Sequence, residues 1–327
     1  MKKAMIIGAA GFVGGYLIDH LKDEIKWKIY GTKLNTEKIE REDIEIYNLD
    51  ILNKEEIIKL FENIRPDYIF NLAAQSSVSL SWKNPLLTVD INIKGTINIL
   101  DTVREIDKYN PRIMLIGSSE EYGNVKEDEI PVKEENNLRP GNIYAVTKVC
   151  QNMIGKIYTD AYGMEIVNVR AFNHIGPKQA PIFVVADFCK QVSEIEKGLR
   201  EPIIYTGNLE AKRDFTDVRD IVRAYSALAL NGKKGETYNV GSGKAVSIKE
   251  ILDIILKNST KNIEIRKDEK RYRPIDIPII EADIEKLRKV IDWKPKILLK
   301  ESIKEILDYW RKNGRNNKKI SSKFCNE

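Results

Sequence analysis

The chain has 327 residues, of which 42% are hydrophobic and 31% are charged, and its net charge is +5. This balance excludes a disordered or fibrous chain, and the length indicates one large domain with a smaller partner. The segment Arg311–Lys323 is basic without interleaved aromatic residues, so we predict a solvated basic tail over 311–327 and no nucleic-acid partner. Cys150, Cys189 and Cys325 are odd in number and widely spaced, which argues against disulfides and metal ligation and favours the cytoplasm. No segment reaches membrane-spanning length, so no membrane partner is expected.

Apolar runs of strand length alternate with amphipathic stretches through the first half of the chain. The predicted strands are Ala4–Ile7, Lys28–Thr32, Glu45–Asn48, Tyr68–Leu72, Arg112–Gly117 and Glu165–Arg170. An amphipathic helix is predicted between most of them, as over Asn53–Asn63. Because parallel strands need such long return paths, the alternation predicts an α/β fold with a doubly wound parallel sheet of the Rossmann type.

The alternation weakens after Arg170, where prolines interrupt shorter elements. A clean helical pattern returns over Asp217–Asn231. The sequence therefore predicts two interleaved domains, since no linker separates the parts. The predicted division is a dinucleotide-binding domain of residues 1–170 with roughly 215–240, and a smaller substrate-binding domain of residues 171–214 with 241–310.

A glycine-rich turn follows the first predicted strand and opens a helix. Its glycines would let backbone N–H groups approach a phosphate, and the helix N-terminus adds partial positive charge. A purely structural turn is the alternative, but the strand before and the helix after it favour a dinucleotide site. The second strand ends at Lys33 with no acidic residue for a ribose hydroxyl, which favours NADP and leaves NAD as the alternative. The cofactor-binding residues predicted in the turn are Gly8, Gly11, Phe12, Val13 and Gly14.

Tyr144 and Lys148 are four residues apart, which places them on one face of a helix. A phenol is a poor acid–base catalyst at neutral pH unless a nearby cation stabilises its phenolate, and a lysine one turn away does so. Ser118 follows the fifth predicted strand, at the sheet edge where ligands bind, so its hydroxyl is a candidate partner for the reacting oxygen. The alternatives are a chance aromatic–cation pair and a polar turn that closes the strand.

In this order and spacing, these motifs resemble the extended short-chain dehydrogenase/reductase family, from Lys3 to about Trp310. The resemblance implies that Tyr144 is the general acid/base and that Ser118 orients the carbonyl group. It implies that Lys148 serves both the cofactor ribose and the phenolate. It also implies cofactor contacts after the third and fourth strands, from Asp50, Ile51, Ala73 and Ala74.

Segments of the second half are similar to the sugar-nucleotide contacts of the same family. Arginine suits a diphosphate because its planar fork gives two charge-assisted bonds, although a single arginine is more often a surface ion pair. The substrate-binding residues implied by the resemblance are Asn173, Arg213, Arg273 and Asp276.

Within the family, these segments are most similar to the GDP-6-deoxy-D-mannose reductases. That likeness implies NAD(P)H-dependent reduction of the 4-keto group of a GDP-linked 6-deoxy-4-ketosugar, GDP-4-keto-6-deoxy-D-mannose, to GDP-D-rhamnose. It also implies a homodimer through the helices that carry Asn92 and Tyr144.

Glu120, two residues after Ser118, matches the glutamate that GDP-mannose 4,6-dehydratases use for elimination. Those dehydratases also carry a Gln-Asp pair in the glycine turn, which this chain lacks. The open alternatives are such a dehydratase with Glu120 in catalysis, a UDP-hexose 4-epimerase, and a redox-sensing dinucleotide-binding module. The intact set of Ser118, Tyr144 and Lys148 argues against the sensor, because binding alone needs no tyrosine acid. His174 is expected to be structural.

Overall fold

A computed structural model describes residues 1–271 and 277–313 of the chain. The predicted substrate residues Arg273 and Asp276, and most of the predicted basic tail, lie outside the described residues. The strands within them are β1 (Lys3–Ile7), β2 (Lys28–Lys33), β3 (Glu45–Asn48), β4 (Tyr68–Asn71), β5 (Arg112–Ser118), β6 (Ile166–Ala171), β7 (Asn173–Ile175), β8 (Ile203–Thr206), β9 (Lys212–Asp217), β10 (Thr237–Val240), β11 (Ala245–Ser247), β12 (Glu264–Lys267) and β13 (Ile279–Ile280).

The α-helices of the described residues lie between these strands and after the last of them. They are α1 (Phe12–Asp23), α2 (Lys54–Ile64), α3 (Val78–Lys83), α4 (Pro85–Val89), α5 (Gly95–Glu105), α6 (Ile143–Tyr162), α7 (Val184–Glu196), α8 (Val218–Asn231), α9 (Ile248–Lys257), α10 (Glu285–Val290) and α11 (Leu299–Asn313). Among the described residues, none of these helices is both long enough and apolar enough to cross a membrane.

Seven strands form one parallel sheet in the order β10–β6–β5–β4–β1–β2–β3. The chain starts in the sheet interior at β1, extends to β3 on one side, and then returns at β4 to build the other side. The strand order therefore reverses between β1 and β4, which is where open α/β sheets bind ligands at the carboxyl ends of their strands. The predicted doubly wound parallel sheet is confirmed.

All six predicted strands form, with end points no more than one residue from those predicted. The helix predicted over Asn53–Asn63 begins one residue later because Asn53 is its N-cap, accepting a hydrogen bond from the Glu56 amide at 3.3 Å. The seventh strand, β10, was not among the predicted strands. It is only four residues long and half polar, and its Asn239 is buried, so no apolar run marks it in the sequence.

Helices cover both faces of the sheet, and the side chains of β1 alternate between them. Ala4 and Ile6 belong to a core that includes buried residues of α1 and α8. Met5 and Ile7 belong to a second core with residues of α2 and α5. Because both faces are covered, a central strand is apolar at every position rather than at every second one.

Outside the main sheet, β9 pairs with β7, β11 and β13, and β8 pairs with β12. Helices α7, α9 and α11 pack a third core around Phe188, Leu252 and Ile306. Strand β7 begins two residues after β6 ends, so the smaller sheet starts at the carboxyl edge of the main one. The division into two domains, with its bounds, stays a prediction.

Gly14 packs against the backbone of the glycine turn, whereas its neighbour Gly15 does not. A Cβ on Gly14 would lie 2.5 Å from the carbonyl oxygen of Ala9, while a Cβ on Gly15 would meet no described atom within 4 Å. We expect Gly14→Ala to lower the free energy of unfolding by about 1–3 kcal/mol, because the turn must shift. The matched Gly15→Ala should leave it unchanged or raise it by up to about 1 kcal/mol, since alanine favours a helix. Denaturant unfolding of both variants checks this, and equal losses would contradict it.

Candidate active site

Helix α6 carries the predicted tyrosine–lysine pair on its buried face. Asn142 caps the helix, and its side chain accepts a hydrogen bond from the Ala145 amide at 2.8 Å. Tyr144 is 8% exposed, and Lys148, one turn further, is 4% exposed. Lys148 Nζ donates to the carbonyl oxygen of Ile116 on β5 at 2.7 Å. This bond holds the pair against the carboxyl end of β5.

Ser118 is the last residue of β5 and lies beside the tyrosine. Its side-chain oxygen accepts a hydrogen bond from the Glu120 amide at 3.2 Å, and its hydroxyl acts to lower the pKa of the neighbouring Tyr144 phenol. The structure thus brings Ser118, Tyr144 and Lys148 together at the carboxyl edge of the sheet. Two neighbouring hydroxyl groups there are suited to bind one carbonyl oxygen, while their roles in a reaction stay predictions.

Burial shifts the pKa values of the pair in opposite directions. It raises the pKa of the Tyr144 phenol, a shift that the nearby Ser118 hydroxyl opposes and the charges of Glu120 and Glu121 reinforce. Burial lowers the pKa of Lys148 to about 8, against the charge of Glu121. At neutral pH the phenol is therefore protonated and the lysine is mostly charged. These are the states that a proton donor with a cationic partner requires.

Glu120 belongs to the same cluster. One of its carboxylate oxygens accepts a hydrogen bond from the side-chain amide of Asn142 at 3.0 Å, and its charge acts on the Tyr144 phenol. The glutamate that matches the dehydratase position therefore lies within the site.

The glycine turn has the backbone geometry that a dinucleotide phosphate needs. Gly8 has a φ of +80°, and a Cβ there would lie 2.8 Å from the Ala73 amide nitrogen, so a side chain does not fit. Gly11 precedes α1, and among the described residues no side chain caps this helix and no acid lies in its first turn. The amides of Phe12 and Val13 therefore lie at a positively polarised helix end without a competing anion. The turn fits the nicotinamide dinucleotide that the family resemblance implies.

The other predicted cofactor residues follow the carboxyl ends of β2, β3 and β4. Lys33 ends β2, and its Nζ donates to Asn48 Oδ1 at the end of β3 at 2.9 Å. Asp50–Ile51 follow β3, and Ala73–Ala74 follow β4. Because these strands are parallel to β1, these three predicted segments all lie along the edge that carries Gly8.

Asn173 and Arg213 lie on neighbouring strands of the smaller sheet. Asn173 begins β7, is exposed, and lies on a strand that pairs with β9. Arg213, on β9, is 7% exposed, and its guanidinium donates to the carbonyl oxygen of Ile277 at 2.6 Å. The structure brings these two predicted residues to one sheet, whereas Arg273 and Asp276 lie outside the described residues.

His174 lies on β7 next to Asn173 and contacts the helix that follows the glycine turn. Its ring stacks on Phe12 with the centroids 6.2 Å apart, and its Nδ1 lies 3.0 Å from the carbonyl oxygen of Phe172. Burial lowers the pKa of His174, so its ring is neutral at neutral pH. A stacked, neutral ring fits the expected structural role.

Two residues of the site, Glu121 and Asn142, are absent from the sequence-based prediction. Asn142 caps α6 and holds Glu120; an asparagine just before a helical pattern is a common N-cap signal that would have found it. Glu121 is buried beneath Ser118. No signal marks it, because an acidic residue in a polar turn is expected to be exposed.

The comparisons with known proteins agree with this geometry. The family model of GDP-mannose 4,6 dehydratase matches residues 5–306. The chain is 29% identical to GDP-6-deoxy-D-mannose reductase of Pseudomonas aeruginosa, over 96% of this chain and 99% of that protein. It is 28% identical to GDP-mannose 4,6-dehydratase of Yersinia enterocolitica, over 94% of this chain and 93% of that protein. A solved structure of RMD from Pseudomonas aeruginosa complexed with NADPH is similar with a TM-score of 0.83 and 28% identity, over 96% of this chain and 100% of that chain.

These likenesses extend along nearly the whole chain. They confirm the predicted resemblance and the predicted class, an NAD(P)-dependent enzyme that acts on a nucleotide sugar. Because the family model covers well over half of the sequence, the chain belongs to the GDP-mannose 4,6-dehydratase family of the extended short-chain dehydrogenases/reductases.

Proposed function

We propose that the protein is a reductase that converts GDP-4-keto-6-deoxy-D-mannose to GDP-D-rhamnose with NADPH. The observation that carries this proposal is the Tyr144 phenol, which is buried beside Ser118 and protonated at neutral pH. A protonated phenol at this edge is a ready proton donor to a carbonyl oxygen that is being reduced. The nearly full-length likeness to the Pseudomonas aeruginosa reductase favours this member of the family.

The chain's own residues bind the substrate carbonyl and manage its proton. The reduced nicotinamide, when bound, supplies the hydride. Ser118 donates a hydrogen bond to the C4 oxygen of the sugar and orients it towards the phenol. As the new C4–H bond forms, the C=O π electrons move to the oxygen, which takes the proton of Tyr144 and becomes the hydroxyl group of the product. The Lys148 ammonium stabilises the phenolate that remains, until solvent returns the proton.

A second candidate is a GDP-mannose 4,6-dehydratase. Glu120 lies beside Tyr144 at the matching position, and the Yersinia enterocolitica relative carries that name. The two activities differ in cofactor balance, because a reductase consumes NADPH in proportion to its product whereas a dehydratase shows no net redox change. If the protein is the reductase, we expect NADPH absorbance to fall when the ketosugar is added and to stay constant when GDP-mannose is added. Loss of water from GDP-mannose without consumption of NADPH would establish the dehydratase instead.

A homodimer through α6 and the helices near Asn92 remains part of the proposal. Met153 and Ile157 on α6, and Leu86 on α4, are apolar side chains exposed in the single chain, which supports an interface there.

The cytoplasm remains the proposed location, because Cys150 and Cys189 are free thiols.

Removing the Tyr144 hydroxyl should abolish most of the chemistry. We expect Tyr144→Phe to lower kcat on the ketosugar by about 10²–10⁴-fold, the range for a positioned acid. NADPH affinity should barely change, because the ring and Lys148 remain. Tyr158→Phe on the same helix is the control, since its hydroxyl bonds Asp101 instead. Single-turnover kinetics check this, and near wild-type chemistry in Tyr144→Phe would contradict the proton-donor role.

Lys33 should favour the cofactor with the 2′-phosphate. It ends β2 at the cofactor edge, where a cation attracts that phosphate and an acid would bind the ribose hydroxyls of NADH. We expect wild type to use NADPH, and Lys33→Asp to shift the kcat/KM ratio towards NADH by at least about tenfold. Lys28→Asp makes the same charge change at the other end of β2 and should leave the ratio unaltered. A wild-type protein that rejects NADPH would contradict the proposal.

Arg213 is proposed to bind the substrate diphosphate. Replacing it with methionine keeps the stem but removes charge-assisted bonds of about 1.5–3 kcal/mol, so Arg213→Met should weaken GDP binding by about ten- to a hundredfold. NADPH binding should stay within about twofold, because the glycine turn is remote in sequence and on another sheet. Calorimetry with both ligands checks this, with Arg266→Met on β12 as the control. Equal weakening of both ligands would indicate general damage to the fold, and unchanged GDP affinity would refute the assignment.

A further inference from the structure

Beneath Ser118 lies a buried ion pair that takes no direct part in the proposed reaction. Glu121 is 0% exposed and Arg170, on β6, is 5% exposed, and Arg170 Nε donates to Glu121 Oε2 at 2.9 Å. The other oxygen, Oε1, accepts a hydrogen bond from the Ser118 backbone amide at 2.9 Å. A Cβ on Gly117 would overlap this oxygen, so carboxylate and loop backbone are in direct contact. The carboxylate therefore connects β6 to the backbone of a residue that binds the substrate in the proposed reaction.

Arg170 is held from several sides. Its Nη1 donates to the Tyr122 hydroxyl at 3.1 Å and to the carbonyl oxygen of Glu134 at 2.9 Å. Its guanidinium lies 4.9 Å from the centre of the Tyr122 ring. Tyr122 in turn donates to Asn239 of β10 at 2.6 Å. A buried ion pair adds little net stability, because desolvation offsets the attraction, so a pair bonded this completely below the site calls for a role in geometry or charge.

The negative charge of Glu121 also acts on Lys148. Asn152 lies one turn after Lys148 on α6, and its amide nitrogen is 3.4 Å from Glu121 Oε2. The charge of Glu121 raises the pKa of Lys148, against the burial that lowers it, and also raises the pKa of Tyr144. Burial raises the pKa of Glu121 itself, and the charge of Arg170 opposes that shift. The titratable groups that interact with Tyr144 or Lys148 are Glu120 and Glu121 after β5 and Tyr225 on α8. Arg170 on β6 interacts with Glu121.

We propose that Glu121 is a positioning residue for the chemistry of Ser118, Tyr144 and Lys148. Its carboxylate, anchored by Arg170, holds the Ser118 amide in place and supplies the negative charge that faces the lysine ammonium. The role rests on the proposed proton transfer from Tyr144, and it gives Glu121 no contact with substrate or cofactor.

Glu121→Gln tests this role, because it keeps the shape of the side chain and removes its charge. Without the carboxylate both Lys148 and Tyr144 lose a proton more easily, so the alkaline limb of the kcat profile should move to lower pH by roughly one unit. Gln has one acceptor oxygen and cannot accept from both the Ser118 amide and Arg170, so the backbone at Ser118 should shift. At neutral pH kcat should therefore fall by up to about 100-fold, whereas KM for the ketosugar stays within about twofold. The measurement is kcat and KM from about pH 6 to about pH 10. An alkaline limb at the wild-type pH would overturn the proposal.

A second variant decides the question if the first does not fold. Glu121→Met combined with Arg170→Met removes both charges and leaves no unpaired buried ion. In this variant the alkaline limb of the kcat profile should also move to lower pH, and kcat should fall by a similar factor. Wild-type values for both quantities would overturn the proposal. Glu196→Gln is the control, because it removes a carboxylate from an arginine pair elsewhere, with Arg311 at 2.7 Å, and should leave the profile unchanged.

The positioning role and the proposed function fail in different ways. If the wild type does not consume NADPH with the ketosugar, the reductase function is wrong, and Glu121 is tested without turnover. NADPH affinity, followed by nicotinamide fluorescence, should weaken as Lys148 loses its proton, because ammonium bonds to ribose oxygens are charge-assisted. The midpoint of this loss should lie at lower pH in Glu121→Gln than in wild type. Equal midpoints would overturn the positioning role.

Discussion

The parallel pairing of β1 with β2 and β4, and of β4 with β5, is the constraint on which the site depends. Because parallel neighbours end at the same edge, the glycine turn, the predicted cofactor residues and Ser118 all lie there. Helix α6 needs only to pack on β5 to bring Tyr144 and Lys148 to Ser118, and the bond from Lys148 to the Ile116 carbonyl holds that packing. A shift of one residue in the register of β5 would turn the Ser118 side chain to the opposite face of the sheet and separate it from Tyr144 and Lys148.

Burial at this edge would by itself favour two neutral groups, a phenol and an amine. The phenol suits a proton donor, but a neutral Lys148 would give little support to the phenolate that the transfer leaves behind. The carboxylate of Glu121 restores part of the lysine charge, at the expense of making the phenolate less favourable. In the proposed reaction, the charges of Glu120 and Glu121 keep the proton on Tyr144 before the transfer, and Lys148 accommodates its loss afterwards.

Local patterns predict this fold and half of the site. The apolar run of β1, the glycines after it and the spacing of Tyr144 and Lys148 are visible in short windows, so their structure follows from local chemistry. The partners of Glu121 are not visible in a short window, because Arg170 is 49 residues away and only the pairing of β5 with β6 brings the two residues together. The same holds for Asn92, whose buried amide bonds Thr147 on α6 at 2.9 Å. Long-range polar pairs leave no periodic signal.

The position of Glu120 has a structural cause that is independent of elimination chemistry. The side chain of Asn142 caps α6, because its oxygen accepts a hydrogen bond from the Ala145 backbone amide. The nitrogen of the same side chain donates a hydrogen bond to the Glu120 carboxylate. The glutamate is thereby held by the cap of the helix that carries Tyr144, and its charge favours the protonated phenol that a reductase needs. A glutamate beside the tyrosine is therefore compatible with both activities. A reductase must release its oxidised cofactor after each hydride transfer, whereas a dehydratase retains it, so cofactor exchange rather than the presence of Glu120 separates the two activities.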